Sequence, residues 1–157
     1  LHRRPLPLVQ ANTRIVGKLL QRLQDAAKSG VYRTSRIDAL ADALRGSRLD
    51  FARIALDGVS GKPALMARFA GALGFPAWFG ENWDALEDCL ADLSWREAEG
   101  HVLAIEGADA LPPEESGVLL EVLASAAEFR GGRGKPFFAV FVDPARGLPL
   151  PDLFNEA

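Results

Sequence analysis

Between Glu81 and Asp92 the chain carries Glu81, Asp84, Glu87, Asp88 and Asp92, with no cation among them. Placed on a helix at about 100° per residue, Trp83, Leu86, Cys89, Leu90 and Leu93 turn to one side and the carboxylates to the other. Asp84, Asp88 and Asp92 form an i, i+4, i+8 row with Glu87 beside it, a like-charge spacing that weakens an isolated helix by about 0.2–0.5 kcal/mol per pair. Such a row can engage cationic groups on another molecule, work as an acid and base pair, or hold a hard cation. A Ca²⁺ or Mg²⁺ site needs more converging oxygens than one helix face supplies, and periodicity alone fits an ordinary solvated face.

Other candidate chemistry is sparse. Cys89 is the only cysteine, which excludes an intramolecular disulfide, and with only His2 and His101 a Cys/His metal site cannot be assembled. Cys89 lies on the apolar arc and reads as a buried thiol, Trp83 as core or as a floor under the preceding loop, and His101, at the start of a strand, as structural or exposed. Gly131-Gly132-Arg133-Gly134 follows a helix and precedes a strand, the reverse of a phosphate-binding loop, and reads as a turn. Catalysis, a metal and a cofactor are therefore not expected.

The formal net charge of −3 and pI near 5.4 argue against direct nucleic-acid binding and favour a basic partner. The first fifty residues are rich in Arg, so the negative field belongs to the middle of the chain. No apolar run is long enough to span a bilayer, which argues against a membrane, and the single free thiol fits a reducing, cytoplasmic setting.

The elements that would position the acidic row follow from periodicity. Residues 1–11 read as an irregular arm, then Asn12 or Thr13 caps a helix to about Ser29, ended by Gly30, with Ile15, Leu19, Leu20, Leu23 and Ala27 on its inner side. Val31 to Thr34 is a short strand, and Ile37, Leu40, Ala41 and Leu44 mark a helix closing near Gly46. A strand over 51–57 leads to a helix with Pro63 in its first turn and Gly74 as its left-handed cap. The acidic helix, about 82–93, comes after the connector Phe75 to Gly80. His101 to Glu106 is a buried strand, a helix opens at Pro112 and Pro113 with Glu114 and Glu115 at its positive end, and Phe137 to Val142 is apolar enough for a strand covered on both faces.

The string Phe75-Pro-Ala-Trp-Phe-Gly-Glu-Asn-Trp-Asp-Ala-Leu-Glu-Asp-Cys-Leu90 resembles the motif of the barstar family, intracellular inhibitors of barnase-type ribonucleases. It joins an aromatic pair before Gly80, a Gly-x-Asn turn into the helix, Asp-Ala-Leu, and Asp-Cys-Leu one turn later. The order of elements extends the resemblance from roughly Ile54 to Val142, leaving the first fifty residues outside it. The resemblance implies a partner-binding surface of Trp78, Phe79, Gly80, Asn82, Asp84, Glu87 and Asp88. Asp88 matches the family's principal acidic contact, Asp84 the second, and Trp78 and Phe79 the aromatic residues that cover the nuclease site. The partner implied is a basic, barnase-like ribonuclease, whose Arg, Lys and His side chains the carboxylates would occupy in place of RNA phosphates. Two departures stand out. Glu87 replaces a Trp of the family's namesake, and an ungapped alignment puts Ser125 where a further Glu is expected, with Glu121 or Glu128 as substitutes. Both point to a different nuclease. The alternative is a non-inhibitory interaction module of the same fold that binds another basic protein.

Strands separated by helices predict an α/β fold: a small, mostly parallel three-stranded sheet, with Val31 to Thr34 as a possible fourth strand at an edge. The expected organisation is an N-terminal extension, 1–50, packed on a barstar-like domain, 51–143, followed by an irregular tail, 144–157.

Overall fold

A computed structural model describes residues 7–154, with side chains from Arg14 onward. Five helices, α1 (Pro7–Leu23), α2 (Ile37–Leu44), α3 (Lys62–Leu73), α4 (Trp83–Asp92) and α5 (Pro113–Gly132), surround four strands, β1 (Gly30–Thr34), β2 (Leu49–Ala55), β3 (Gly100–Glu106) and β4 (Phe137–Val142). All strand pairs are parallel, in the order β1-β4-β3-β2. Val31 to Thr34 is thus a true edge strand, joined to β4 in the register Gly30↔Phe138 through Thr34↔Val142, so the sheet has four strands.

Alternation along the strands divides the interior into two cores. Ala52 and Ile54 of β2, Leu103 and Ile105 of β3, and Phe137, Ala139 and Phe141 of β4 point to α3, α4 and α5. Leu49 and Phe51, Val102 and Ala104, and Phe138 and Val140 point the other way, to Leu19 and Leu23 of α1 and Leu40, Ala43 and Leu44 of α2. The continuous apolar runs of β3 and β4 follow from this: both central strands are covered on both faces. Among the described residues no helix is long and apolar enough to cross a membrane.

Several boundaries differ from expectation. The first helix starts at Pro7, so residues 7–11 are helical, and neither Asn12 nor Thr13 caps it; residues 1–6 lie outside the described part. Proline is well tolerated in a first helical turn, where its missing N–H has no partner to lose. The same helix stops at Leu23, not Ser29, because the Asp25 carboxylate accepts from Ala27 N at 3.0 Å and starts a separate 3₁₀ turn, Ala26–Lys28. Gly30 opens β1 instead of ending a helix. Gly131 and Gly132 belong to α5, not to a turn. A Cβ on Gly131 would lie 2.9 Å from the Ala26 carbonyl oxygen and 3.0 Å from Ser29 Cβ, so this glycine permits close approach of two segments.

The tail is tied down as far as it is described; residues 155–157 lie outside. Arg33 N donates to Pro151 O at 2.9 Å and Leu153 N to Arg33 O at 2.8 Å, which pairs the tail with Arg33 on the outer edge of β1. The buried Arg33 guanidinium also pairs with Asp152 and donates to Asp143 O at 2.5 Å. Asp143 in turn accepts from Gly147 N and Leu148 N.

Candidate functional site

The loop between α3 and α4 is built on aromatic contacts. Gly74 closes α3 in the left-handed conformation (φ 63°), and Phe75 turns inward to meet Phe79 edge-on at 4.8 Å and Trp95 at 5.9 Å. Trp95 is fixed by donation from Nε1 to Leu73 O at 3.0 Å, and its ring supports Trp78 at 6.4 Å. Trp78 nevertheless leaves 66% of its surface exposed, while Phe79 is half-buried against the core. The floor beneath Trp78 is therefore Trp95; Trp83 is partly buried against the core.

Asn82 joins this loop to α4. Its Oδ1 accepts from Ala85 N at 2.8 Å, capping the helix, and its Nδ2 donates to Gly80 O at 3.4 Å. A Cβ on Gly80 would come within 3.4 Å of Asn82 Nδ2 and 3.5 Å of Ala85 Cβ, so the turn is already close-packed. Glu81 absorbs the change of direction with a left-handed φ of 56°. Gly80 and Asn82 thus shape the entry to the helix.

Leu86, Cys89 and Leu90 of α4 are buried, and Asp84, Asp88 and Asp92 are exposed, as the helical wheel requires. Burial pushes the Cys89 thiol above its ordinary range, and the Asp92 and Asp88 charges push in the same direction, which makes it a poor nucleophile. Asp84 sits in the first turn, where the helix dipole favours it. Among the described residues neither Asp84 nor Asp88 has an ion-pair partner. Glu87 is half-buried and accepts from Ser125 Oγ on α5 at 2.8 Å, so the two positions where the sequence departs from the family motif meet each other. Glu121 and Glu128 are exposed, and Glu128 lines a groove against Ala26, Ala27, Ser29 and Gly30.

The C-terminal end of α4 lacks a basic residue of its own and carries Asp92, an unfavourable charge for that end. The cation comes from α5. Arg130, 7% exposed, donates through Nη1 to Ala91 O at 3.1 Å and Asp92 O at 2.7 Å, and through Nη2 to His101 Nδ1 at 3.0 Å. His101 is buried, and its Nε2 lies 2.7 Å from Arg96 O. A carbonyl can only accept, so Nε2 carries the proton and Nδ1 is free to accept from Arg130. Arg96 completes the chain with a two-pronged pair to Asp50, at 2.7 and 2.9 Å. Desolvation, chiefly, holds His101 below its ordinary pKa, although the Arg96 carbonyl favours the protonated ring.

His101, expected from sequence to be structural or exposed, is buried and structural. Its partners Arg130, Arg96 and Asp50 were not expected at this site. The available signal was Arg130 itself, a charge four residues after Ala126 and seven after Leu123 on the apolar stripe of α5.

No described group of three or more His, Cys, Asp or Glu side chains is placed to hold a metal ion. The site is instead a preformed surface: an exposed indole, a pinned loop, and a row of carboxylates on a helix capped at both ends. A search of curated proteins finds no match to the chain. A family model described as Barstar (barnase inhibitor) matches residues 49–142, which runs from the start of β2 to the end of β4 and takes in the whole of this surface. The chain belongs to the barstar family.

Proposed function

We propose that this protein inhibits a barnase-type ribonuclease by lodging the exposed face of α4 in the nuclease active site, with Asp84 and Asp88 taking the place of RNA phosphates. The observation that carries this reading is the pair of exposed carboxylates, one helical turn apart, which have no cation of their own among the described residues. A ribonuclease must concentrate Arg, Lys and His where phosphate binds and charge develops, and such groups are met best by anions already fixed in space. Asn82 and Arg130 supply that fixity, so little ordering entropy remains to be lost on docking. Trp78 is the apolar anchor: its exposed ring becomes buried in the complex, and aromatic anchors of this kind dominate many interfaces.

Phe79, Gly80 and Asn82 contribute by holding the loop in shape beside the helix. Glu87 adds charge at the edge of the surface, with one oxygen committed to Ser125. The test is titration of RNA hydrolysis by a panel of barnase-type ribonucleases, barnase included, with the wild type and with Asp88→Ala, following both binding and inhibition. A charge pair at about 4 Å in a partly screened interface contributes about 4 kcal/mol, so the variant is expected to inhibit about a thousandfold less tightly. Equal inhibition by the two proteins refutes the assignment, and binding without any inhibition identifies a non-inhibitory module.

A further inference from the structure

Trp78 and Phe129 are the only large apolar side chains left exposed among the described residues, and the site on α4 uses only the first. Phe129 is 48% exposed on α5. Its place follows from two contacts that fix how the helices run. Ser125 meets Glu87 and, further along both helices, Arg130 meets Ala91 and Asp92, so α4 and α5 run side by side in the same direction. Phe129, one turn beyond Ser125, therefore lies alongside the C-terminal half of α4, the half that carries Asp88 and Asp92. The Arg133 guanidinium sits over the Phe129 ring, 4.4 Å from its centre, and has no carboxylate partner among the described residues.

An exposed ring under an unpaired cation, beside a row of unpaired anions, is a surface of mixed chemistry. The carboxylates attract cations, whereas Arg133 repels them, so a partner that is cationic throughout would meet repulsion at this end. We infer that the docking surface continues from α4 across α5 to Phe129 and Arg133, and that the ribonuclease it fits carries, next to its cationic centre, an apolar pocket edged by a carboxylate. This rests on the inhibitory reading of α4 and adds to it the means by which this chain selects among basic nucleases. Phe129 fills the pocket, Arg133 pairs with the carboxylate, and the Ser125–Glu87 bond holds the two helices in register between the two halves of the surface.

The experiment measures inhibition constants for a panel of barnase-type ribonucleases, barnase included, with the wild type, Phe129→Ser, Arg133→Glu and Asp88→Ala. Urea midpoints serve as the folding control, since both side chains are exposed. For the enzyme inhibited most tightly, Phe129→Ser and Arg133→Glu are each expected to weaken inhibition at least tenfold, far more than the small fall in midpoint that a charge reversal at the C-terminal end of α5 brings. A change below twofold for Phe129→Ser overturns the extended surface, and tighter inhibition by Arg133→Glu overturns the carboxylate. Loss of inhibition with Asp88→Ala alone leaves the α4 reading standing without this extension. An ineffective Asp88→Ala removes the α4 reading, whatever Phe129→Ser does, and a wild type that inhibits no member removes both.

Discussion

Replacing Arg130 with methionine keeps most of the aliphatic stem in place and removes the cation that closes the end of α4. Two charge-assisted hydrogen bonds are lost, at 3.1 and 2.7 Å, each contributing about 1.5–3 kcal/mol, together with the bond to His101 Nδ1. The buried guanidinium carries a desolvation cost that its removal recovers, which burial also expresses by pulling its pKa below the ordinary arginine value. The net loss is expected to be about 3 kcal/mol, or about 6–12 °C in Tm for a chain of this size. Urea unfolding followed by tryptophan fluorescence measures the loss. Amide hydrogen exchange tests its location, because the amides of the last turn of α4 should lose protection beyond what the global change accounts for. A loss below about 1 kcal/mol, or faster exchange spread evenly over the molecule, would refute the claim that Arg130 clamps α4.

Acid should act through His101 before it acts on the carboxylates. The unfolded chain takes up this proton near the ordinary pKa of 6.5 while the folded protein resists it, so His101 should make stability fall as pH drops below about 6.5 toward the lower folded value. His101→Gln should flatten that part of the urea-midpoint profile, and an unchanged slope would remove His101 from the account. Asp143 and Asp152, whose partners hold them below the ordinary value of 3.8, act in a separate window, their stabilisation being lost only as pH falls below about 4. Residues 49–142 expressed alone would expose Val102, Phe138 and Val140, each contributing about 1.5–3 kcal/mol by burial. We expect this fragment to aggregate; a monomeric, cooperatively unfolding fragment by light scattering and urea titration would show that the extension is dispensable.

Readability from sequence tracked the range of the interactions involved. The inner and outer faces of α4 were legible because one helical repeat decides them, and the Gly-x-Asn turn into it because the amide that donates to Asn82 lies three residues away. The apolar runs of β3 and β4 announced strands buried on both faces, and the N-terminal extension was expected to pack on the domain, but which residues meet there was not legible, since Leu19, Leu40 and Phe138 come together only through the fold. The Arg130 clamp was hidden for the same reason: its acceptors lie on another helix, 38 and 39 positions earlier. Local rules misplaced the first helix because a prolyl start and an aspartate restart compete with other plausible signals nearby. They misread Gly131 because a glycine that admits a neighbouring backbone looks, in one dimension, like a glycine that turns.

The pairing of β1 with β4 also bears on how the molecule comes into being. Among the described strands β1 is translated before the other three and its hydrogen-bonding partner β4 after them, so β1 is synthesised well ahead of the strand it pairs with. Such non-local pairing requires loop closure before it returns any stabilisation, which slows folding. Until β4 is made, Phe138 and Val140 are missing from the layer that α1 and α2 cover, and part of their apolar sides is open to other chains. The nascent protein is thus vulnerable while β4 is still to be translated, and a pause in translation just before β4 would cost more soluble product than one just after it.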